Sequence, residues 1–190
     1  MDFTDNHLIA FTDGSCHPNN KSTSSRGGYG ILFVSGAYTD LSVYGSLSVD
    51  KVFASNIRAE GYAIIRTMEY STVCQEPWDK LTIVTDCEFW IKMIKDYMPK
   101  WTTKKFHEKE NTDLTIKMYN LYKQLISNNK QVNFMHVKSH NKSGWNKYPD
   151  GSFEKLCYDK NDFCDKLCNY ARTTLNCGDE KRDIYSNITL

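Results

Sequence analysis

Residues 9–34 read IAFTDGSCHPNNKSTSSRGGYGILFV. Two apolar runs, 8–12 and 29–34, predict buried strands joined by a polar loop at 14–27. Asp13 stands where the first run ends. Asp-Gly is common in surface turns, but a carboxylate at a strand end can also be a metal ligand on a rigid sheet. The second interpretation requires partner carboxylates elsewhere in the chain.

The remaining patterns extend this pair of strands into an α/β fold. Alternation at 41–48 predicts a half-exposed third strand and hence an antiparallel meander. From Asn56 the apolar spacing becomes helical, with Ser55 or Asn56 as the N-cap. Further strands are predicted at 81–86 and 131–137, and further helices at 88–97, 112–127 and 161–175. The order βββαβα(α)βα predicts a mixed five-stranded sheet flanked by helices.

Length, charge and cysteine content narrow the class of protein. The 190 residues suit one domain, expected at 1–175 with a polar, loosely held tail at 176–190. A net charge of +1 means that nucleic-acid binding would depend on local patches. Seven irregularly spaced cysteines predict reduced thiols and an intracellular, cytoplasmic or nuclear location. We expect no signal peptide and no membrane span.

Candidate partners for Asp13 occur along the chain. Asp86 follows the run LTIVT as Asp13 follows LIAFT, Glu60 lies near the start of the first helix, and Asp165 lies on the last one. Strand ends of an α/β sheet face the crevice where such folds place their sites. Clustered carboxylates repel one another unless a cation is present, and their hard oxygens suit Mg²⁺ or Mn²⁺. Singly, each acid could be a turn or solvated helix residue; together they favour a metal site.

Four motifs in order carry a family resemblance. They are FTDGSC…GGYGILF, NIRAEGYAII, VTDCEFWIKMI and VKSHNKSG followed by NDFCDKLCNYA, spread over about residues 8–175. The chain resembles type 1 ribonuclease H, a family of endonucleases with the ribonuclease H-like fold. The resemblance implies hydrolysis of the RNA strand of RNA–DNA hybrids by two-metal-ion cleavage, leaving 5′-phosphate and 3′-hydroxyl ends.

The same resemblance implies the catalytic roles. Asp13, Glu60, Asp86 and Asp165 would hold two Mg²⁺ ions, with Mn²⁺ as a substitute. His140 would assist proton transfer or product release, unless it is only a surface-loop histidine. Asp165 competes for the fourth place with nearby aspartates at 150, 159 and 162. It is preferred because Asn161 lies four residues earlier, on the same helical face.

Substrate contacts are also expected from the resemblance. The 2′-hydroxyl distinguishes RNA from DNA, and the candidates to read it lie in the first loop and first helix. Arg58 would reach a phosphate or else pair with a surface acid. A basic link around Trp101 would grip the DNA strand with salt-sensitive affinity, or else Trp101 belongs to the core. The full expected set is Gly14, Ser15, Cys16, Asn56, Arg58, Asn161, Trp101, Lys104 and Lys105.

The chain departs from the family at several positions. The loop at 141–160 is longer than usual and could be a lid, a partner-binding element or an inert insertion. Glu88 and Ile57 replace residues that the family often uses to contact the hybrid, and Ser139 replaces a glycine before the histidine. A zinc site is a further alternative, although its C-x₆-C-x₃-C spacing is not a common zinc pattern; its ligands would be Cys157, Cys164, Cys168 and His140.

The expected partner is therefore an RNA–DNA hybrid, bound by a monomer that needs no organic cofactor and no membrane. The alternative from another class is a catalytically silent nucleic-acid-binding module on the same fold. A complete carboxylate set argues against that alternative, because a binding module gains nothing from acids facing phosphates.

Overall fold

The computed structural model describes residues 6–19, 24–47, 54–138 and 148–188. The strands are β1 His7–His17, β2 Arg26–Ser35, β3 Leu41–Ser46, β4 Lys80–Thr85, β5 Gln131–His136 and β6 Glu180–Ile184. The helices are α1 Asn56–Thr72, α2 Glu88–Lys92, α3 Thr103–His107, α4 Thr112–Ser127 and α5 Phe153–Thr174. A π-helical turn, Met93–Tyr97, continues α2.

The strands form one mixed sheet in the order β5-β4-β1-β2-β3-β6. β4 pairs in parallel with β1 and β5, and the other pairs are antiparallel. The predicted α/β class with a mixed sheet flanked by helices is confirmed, but the sheet has six strands where five were predicted.

The additional strand is β6, which lies in the segment predicted to be a loosely held tail. It pairs with β3 at the edge of the sheet. Glu180 anchors it, because its carboxylate accepts hydrogen bonds from the hydroxyls of Tyr29 and Tyr70 and from Nε and Nη2 of Arg66. These partners come from β2 and α1, so the polar composition of the tail did not reveal them.

Helices cover both faces of the sheet, because side chains alternate along each strand. Ala10 and Ile31 pack in one cluster with Ala63 of α1. Their chain neighbours Phe11 and Leu32 point to the other face and pack with Cys164 of α5. The helix α4 packs on α1 and the edge strand β5. The central strand β1 is thereby enclosed between α1 and α5.

Two boundaries differ from the sequence prediction. β1 continues to His17, past the predicted end at Thr12, because it keeps pairing with β2 after β4 has ended. α5 begins at Phe153, where Ser152 caps it by accepting from the amide of Lys155. The second part of the predicted 141–160 loop is therefore helical, and residues 139–147 lie outside the described part of the chain.

The N-cap prediction for α1 is confirmed for Ser55, whose Oγ accepts from the amide of Arg58 at 3.2 Å. Within the described ranges, no helix combines the length and apolar character needed to cross a membrane.

Candidate metal centre

The register of two parallel strands brings Asp13 and Asp86 together. Thr12 of β1 lies beside Thr85, the last residue of β4. Each aspartate follows its threonine, so both carboxylates emerge at the same edge of the sheet. The repeated Thr-Asp in the sequence corresponds to adjacent positions in space.

Glu60 reaches the same place because α1 packs tightly over β1. An ideal Cβ built on Gly14 would lie 2.2 Å from the backbone nitrogen of Glu60. Only glycine permits so close an approach of the helix to the strand. One carboxylate oxygen from each of Asp13, Glu60 and Asp86 lies within 4.8 Å of the other two.

Burial makes this cluster electrostatically costly. Asp13 is 3% and Glu60 8% exposed. Burial and the charges of Asp86 and Asp165 raise the pKa of Asp13 well above its ordinary 3.8, although hydrogen bonds from Glu60 and Gly14 oppose the rise. Burial and the charge of Asp13 likewise raise the pKa of Glu60 well above 4.5. A divalent cation would remove this penalty by neutralising the carboxylates.

The donor set fits such a cation. Oε2 of Glu60 is buried without a hydrogen-bond partner among the described residues. An unsatisfied buried oxygen is unfavourable, whereas a hard cation takes carboxylate oxygens as ligands. The three acids together therefore offer the chemistry of a Mg²⁺ or Mn²⁺ site.

Asp165 is the fourth carboxylate that the fold brings to this centre. Its oxygen lies within 4.8 Å of ligand atoms of Asp13 and Cys168. Two of the competing aspartates instead pair with lysines on α5: Asp159 with Lys155 at 2.5 Å, and Asp162 with Lys166 at 2.9 Å. The third, at position 150, is exposed in the turn before the helix.

Two asparagines on α5 surround these acids. Asn161 is buried, and its Nδ2 lies 3.5 Å from Oδ2 of Asp13. Asn169 was not predicted from the sequence. Its Nδ2 donates to Oδ1 of Asp165 at 3.1 Å, and its Oδ1 accepts from Ser15 at 2.8 Å. The regular four-residue spacing of 161, 165 and 169 was the available signal, since it places the three on one helical face.

The first-loop candidates lie directly beside the carboxylates. The amide of Gly14 donates to Oδ1 of Asp13 at 2.7 Å. The amide of Cys16 donates to Oδ1 of Asn56 at 2.7 Å, which joins the end of β1 to the start of α1. Gly14, Ser15, Cys16 and Asn56 therefore lie together next to Asp13, with Cys16 buried among them.

A groove of about 780 Å³ runs from the start of α1 towards the basic link. Trp101 and Lys105 line it, and Trp101 also packs against Phe106 with ring centroids 5.2 Å apart. Trp101 is thus partly buried and still faces the groove. Lys104 points elsewhere, since it is strongly exposed with Nζ 3.9 Å from Glu108.

Arg58 does not face this groove as an unpaired cation. It is 6% exposed, and its guanidinium donates to both oxygens of Asp113, at 2.9 and 2.5 Å, and to Asn111 at 3.2 Å. These bonds match the alternative in which Arg58 pairs with an acid. Asp113 was not singled out in the sequence, because contacts between separate helices leave no local pattern.

The remaining candidates are placed as follows. His140 and Ser139 lie outside the described residues. The exposed Glu88 pairs with Lys92 at 2.8 Å. Among the described residues, none of the groups able to hold a metal ion combines the cysteines expected for zinc, and Cys168 joins Asp13 and Asp165 instead.

Comparison with known proteins agrees with the fold. The family model described as RNase H matches residues 5–172. One similar solved structure is LC9-RNase H1, a type 1 RNase H with the type 2 active-site motif, at 15% identity and a TM-score of 0.62, covering 98% of this chain and 82% of that one. A second is RNase H1 from the halophilic archaeon Halobacterium salinarum, at 20% identity and a TM-score of 0.52, covering 87% of this chain and 96% of that one. A third is LC11-RNase H1 in complex with an RNA/DNA hybrid, at 18% identity and a TM-score of 0.53, covering 87% of this chain and 96% of that one. No curated protein matches the sequence significantly.

Proposed function

The chain belongs to the RNase H family, and from this premise we propose that it is an endoribonuclease that hydrolyses the RNA strand of RNA–DNA hybrids. The observation that carries the proposal is the convergence of Asp13, Glu60, Asp86 and Asp165 at one edge of the sheet. A structural neighbour was solved in complex with such a hybrid, which supports the same substrate class.

In this proposal the four carboxylates hold two Mg²⁺ ions, for which Mn²⁺ can substitute. When bound, such ions activate water and stabilise the leaving oxygen of the phosphodiester; the proposed products carry 5′-phosphate and 3′-hydroxyl ends. Asp13 and Glu60 present their carboxylates to the site from buried positions. The hydrogen bond from Asn169 holds the carboxylate of Asp165 in place. His140 is proposed to assist proton transfer or product release.

Substrate binding is proposed to use the surfaces on both sides of the carboxylates. The segment of Gly14, Ser15 and Cys16 with Asn56 would contact the RNA strand near its 2′-hydroxyls. The groove lined by Trp101 and Lys105 would receive the DNA strand. We expect Lys104 to contribute only long-range charge.

The wider setting is also a proposal. Residues 1–175 together with the edge strand β6 would form the catalytic domain, acting as a monomer without an organic cofactor. All seven cysteines are free, which supports a reducing, intracellular compartment, cytoplasmic or nuclear.

Cleavage of a labelled RNA–DNA hybrid with Mg²⁺, beside single-stranded RNA, duplex RNA and duplex DNA, tests the proposal. The wild type should cut only the hybrid. Asp86→Asn should abolish cutting, because it removes a carboxylate from the cluster, whereas Asp96→Asn, at an exposed position on the π-helical turn, should cut like wild type. If folded protein binds the hybrid but leaves it intact with both Mg²⁺ and Mn²⁺, the catalytically silent module becomes the better description.

A further inference from the structure

A further cavity, of about 220 Å³, lies where β2 begins, beyond the carboxylates along β1. Arg26 and Arg172 line it, and the other lining residues include Ser24, Ser25, Ser46 and the apolar Leu47. None of the described residues that line it is acidic. Two guanidinium groups beside one small cavity, with no acid among its described lining residues, create a positive potential that favours an anion.

The fold holds Arg172 in this cavity through a close contact between helix and sheet. An ideal Cβ on Gly28 would lie 2.3 Å from the carbonyl oxygen of Cys168 and 2.7 Å from the backbone nitrogen of Arg172. The backbone of α5 therefore lies directly on β2 at Gly28. As a result, the side chain of Arg172 begins at the wall of the cavity.

The guanidinium of Arg172 is only partly satisfied. Its Nη2 donates to Oδ1 of Asn169 at 3.1 Å. Its Nε is buried and has no hydrogen-bond partner among the described residues. An unpaired buried donor is unfavourable, so this position is suited to an external acceptor.

Arg26 supplies the second charge. It is exposed, and its side chain forms no hydrogen bond or ion pair with another described residue. Its backbone pairs with His17, so the rigid end of the β1–β2 ladder positions it. Planar guanidinium groups match phosphate oxygens in charge and geometry.

The distance to the metal centre suits a nucleic-acid strand. Asp13 pairs with Gly30 and His17 with Arg26, a separation of four residues, or about 13 Å along the strand. With one phosphate per roughly 3.4 Å of axis on each strand, this corresponds to about four nucleotides. We propose that Arg26 and Arg172 bind a backbone phosphate of the hybrid within about four nucleotides of the cut. This inference rests on the proposed function and adds a substrate contact to it.

A phosphate scan in the inactive Asp86→Asn background tests the inference. A series of hybrids, each carrying one neutral methylphosphonate in place of a phosphate, is titrated with the protein at several salt concentrations. At one position of the hybrid, the methylphosphonate should weaken binding about threefold when Arg26 and Arg172 are intact. The same substitution should have no effect in Arg26→Gln, and Arg26→Gln or Arg172→Gln should make the slope of log Kd against log salt shallower by about 0.9.

Lys123→Gln is the matched control, because it removes an exposed positive charge from α4, outside the cavity. This variant should give the same methylphosphonate scan and the same salt dependence of Kd as the parent protein. Thermal melting verifies that each variant is folded. Because Arg26 is exposed, its variant answers the question even if Arg172→Gln disturbs Asn169.

The outcomes separate the inference from the proposed function. If wild type cuts the hybrid but Arg26→Gln shows the same scan and slope as the parent, the inference is wrong and the proposed function stands. If wild type neither binds nor cuts the hybrid, both are wrong. Inorganic phosphate could instead raise the melting temperature only when both arginines are present, while no methylphosphonate position in the scan weakens binding. The cavity would then bind free phosphate, and the proposed contact with a backbone phosphate of the hybrid would be wrong.

Discussion

Gly14 lies directly against the backbone of Glu60: a Cβ at position 14 would be 2.2 Å from the nitrogen of Glu60 and 2.2 Å from the carbonyl carbon of Ala59. Both neighbouring atoms belong to the backbone of α1, so no side-chain rotation can relieve the contact. This approach lets a carboxylate from a helix meet one from a strand inside the core.

Gly14→Ala should therefore separate Glu60 from Asp13. We expect the rate of hybrid cleavage to fall by at least about 100-fold, since small misplacements of catalytic groups have effects of that size. The free energy of unfolding should fall by about 1–3 kcal/mol through overpacking. Gly151→Ala is the control for the cleavage rate, because a Cβ at that position would meet no described atom within 4 Å. Wild-type kinetics in Gly14→Ala would contradict the role given to this contact.

The raised pKa values of Asp13 and Glu60 make a pH-dependent prediction for the metal-free protein. An acid whose pKa is higher when folded than when unfolded destabilises the fold increasingly as pH rises through the folded pKa, and has no effect below both values. Asp13→Asn removes that penalty. In EDTA, its free energy of unfolding should exceed that of wild type by at least about 1 kcal/mol at pH 8 and by much less at pH 4.

Urea unfolding from pH 4 to 8 measures this difference. Asp96→Asn, on the surface, should show no such trend. Adding Mg²⁺ at pH 8 should stabilise wild type more than Asp13→Asn, because ligand bound only to the folded state adds to its stability. An equal response of the two proteins would exclude Asp13 as a ligand.

Asn169 should act on the rate through Asp165. Its side chain orients that carboxylate and is itself held by Ser15. Loss of such an outer hydrogen bond typically lowers metal affinity or activity 10- to 100-fold. Asn169→Ala should therefore shift the Mg²⁺ concentration for half-maximal cleavage upward by about tenfold. Thr174→Ala, at an exposed position at the end of the same helix, should not shift it, and a lower maximal rate with unchanged Mg²⁺ dependence would refute the prediction.

Glu180 should stabilise the fold without taking part in catalysis. Hydrogen bonds from Arg66 and two tyrosines outweigh the effect of burial and lower the pKa of Glu180. Glu180→Ala leaves these donors without their acceptor, at a cost of about 2–3 kcal/mol. For a chain of this size the melting temperature should fall by about 5–10 °C. Glu76→Ala, at an exposed turn, is the control, and a Glu180→Ala melting curve that overlays the wild type would show that β6 is held by other contacts.

The sequence predicted most elements because their signals are local. The spacing of apolar residues within 8–136 identifies the first five strands. The serine before Asn56 identifies the N-cap of α1. Asp13, Glu60 and Asp86 were recognisable because two similar strand ends and a helix start each carry an acid. Motif order then linked them to one family, which the match over 5–172 confirms.

Contacts between distant residues carried no such signal. The sequence could not show that Glu180 would bring a polar segment into the sheet, that Asp113 would pair with Arg58, or that Ser15 would hold Asn169. Each depends on which surfaces meet after the helices pack. The sequence by itself determined the order of the first five strands and the residue types at the candidate metal centre, since both follow from neighbours along the chain. Only the tertiary structure decided which oxygens converge and which charges are buried, because burial and distance are properties of packed elements.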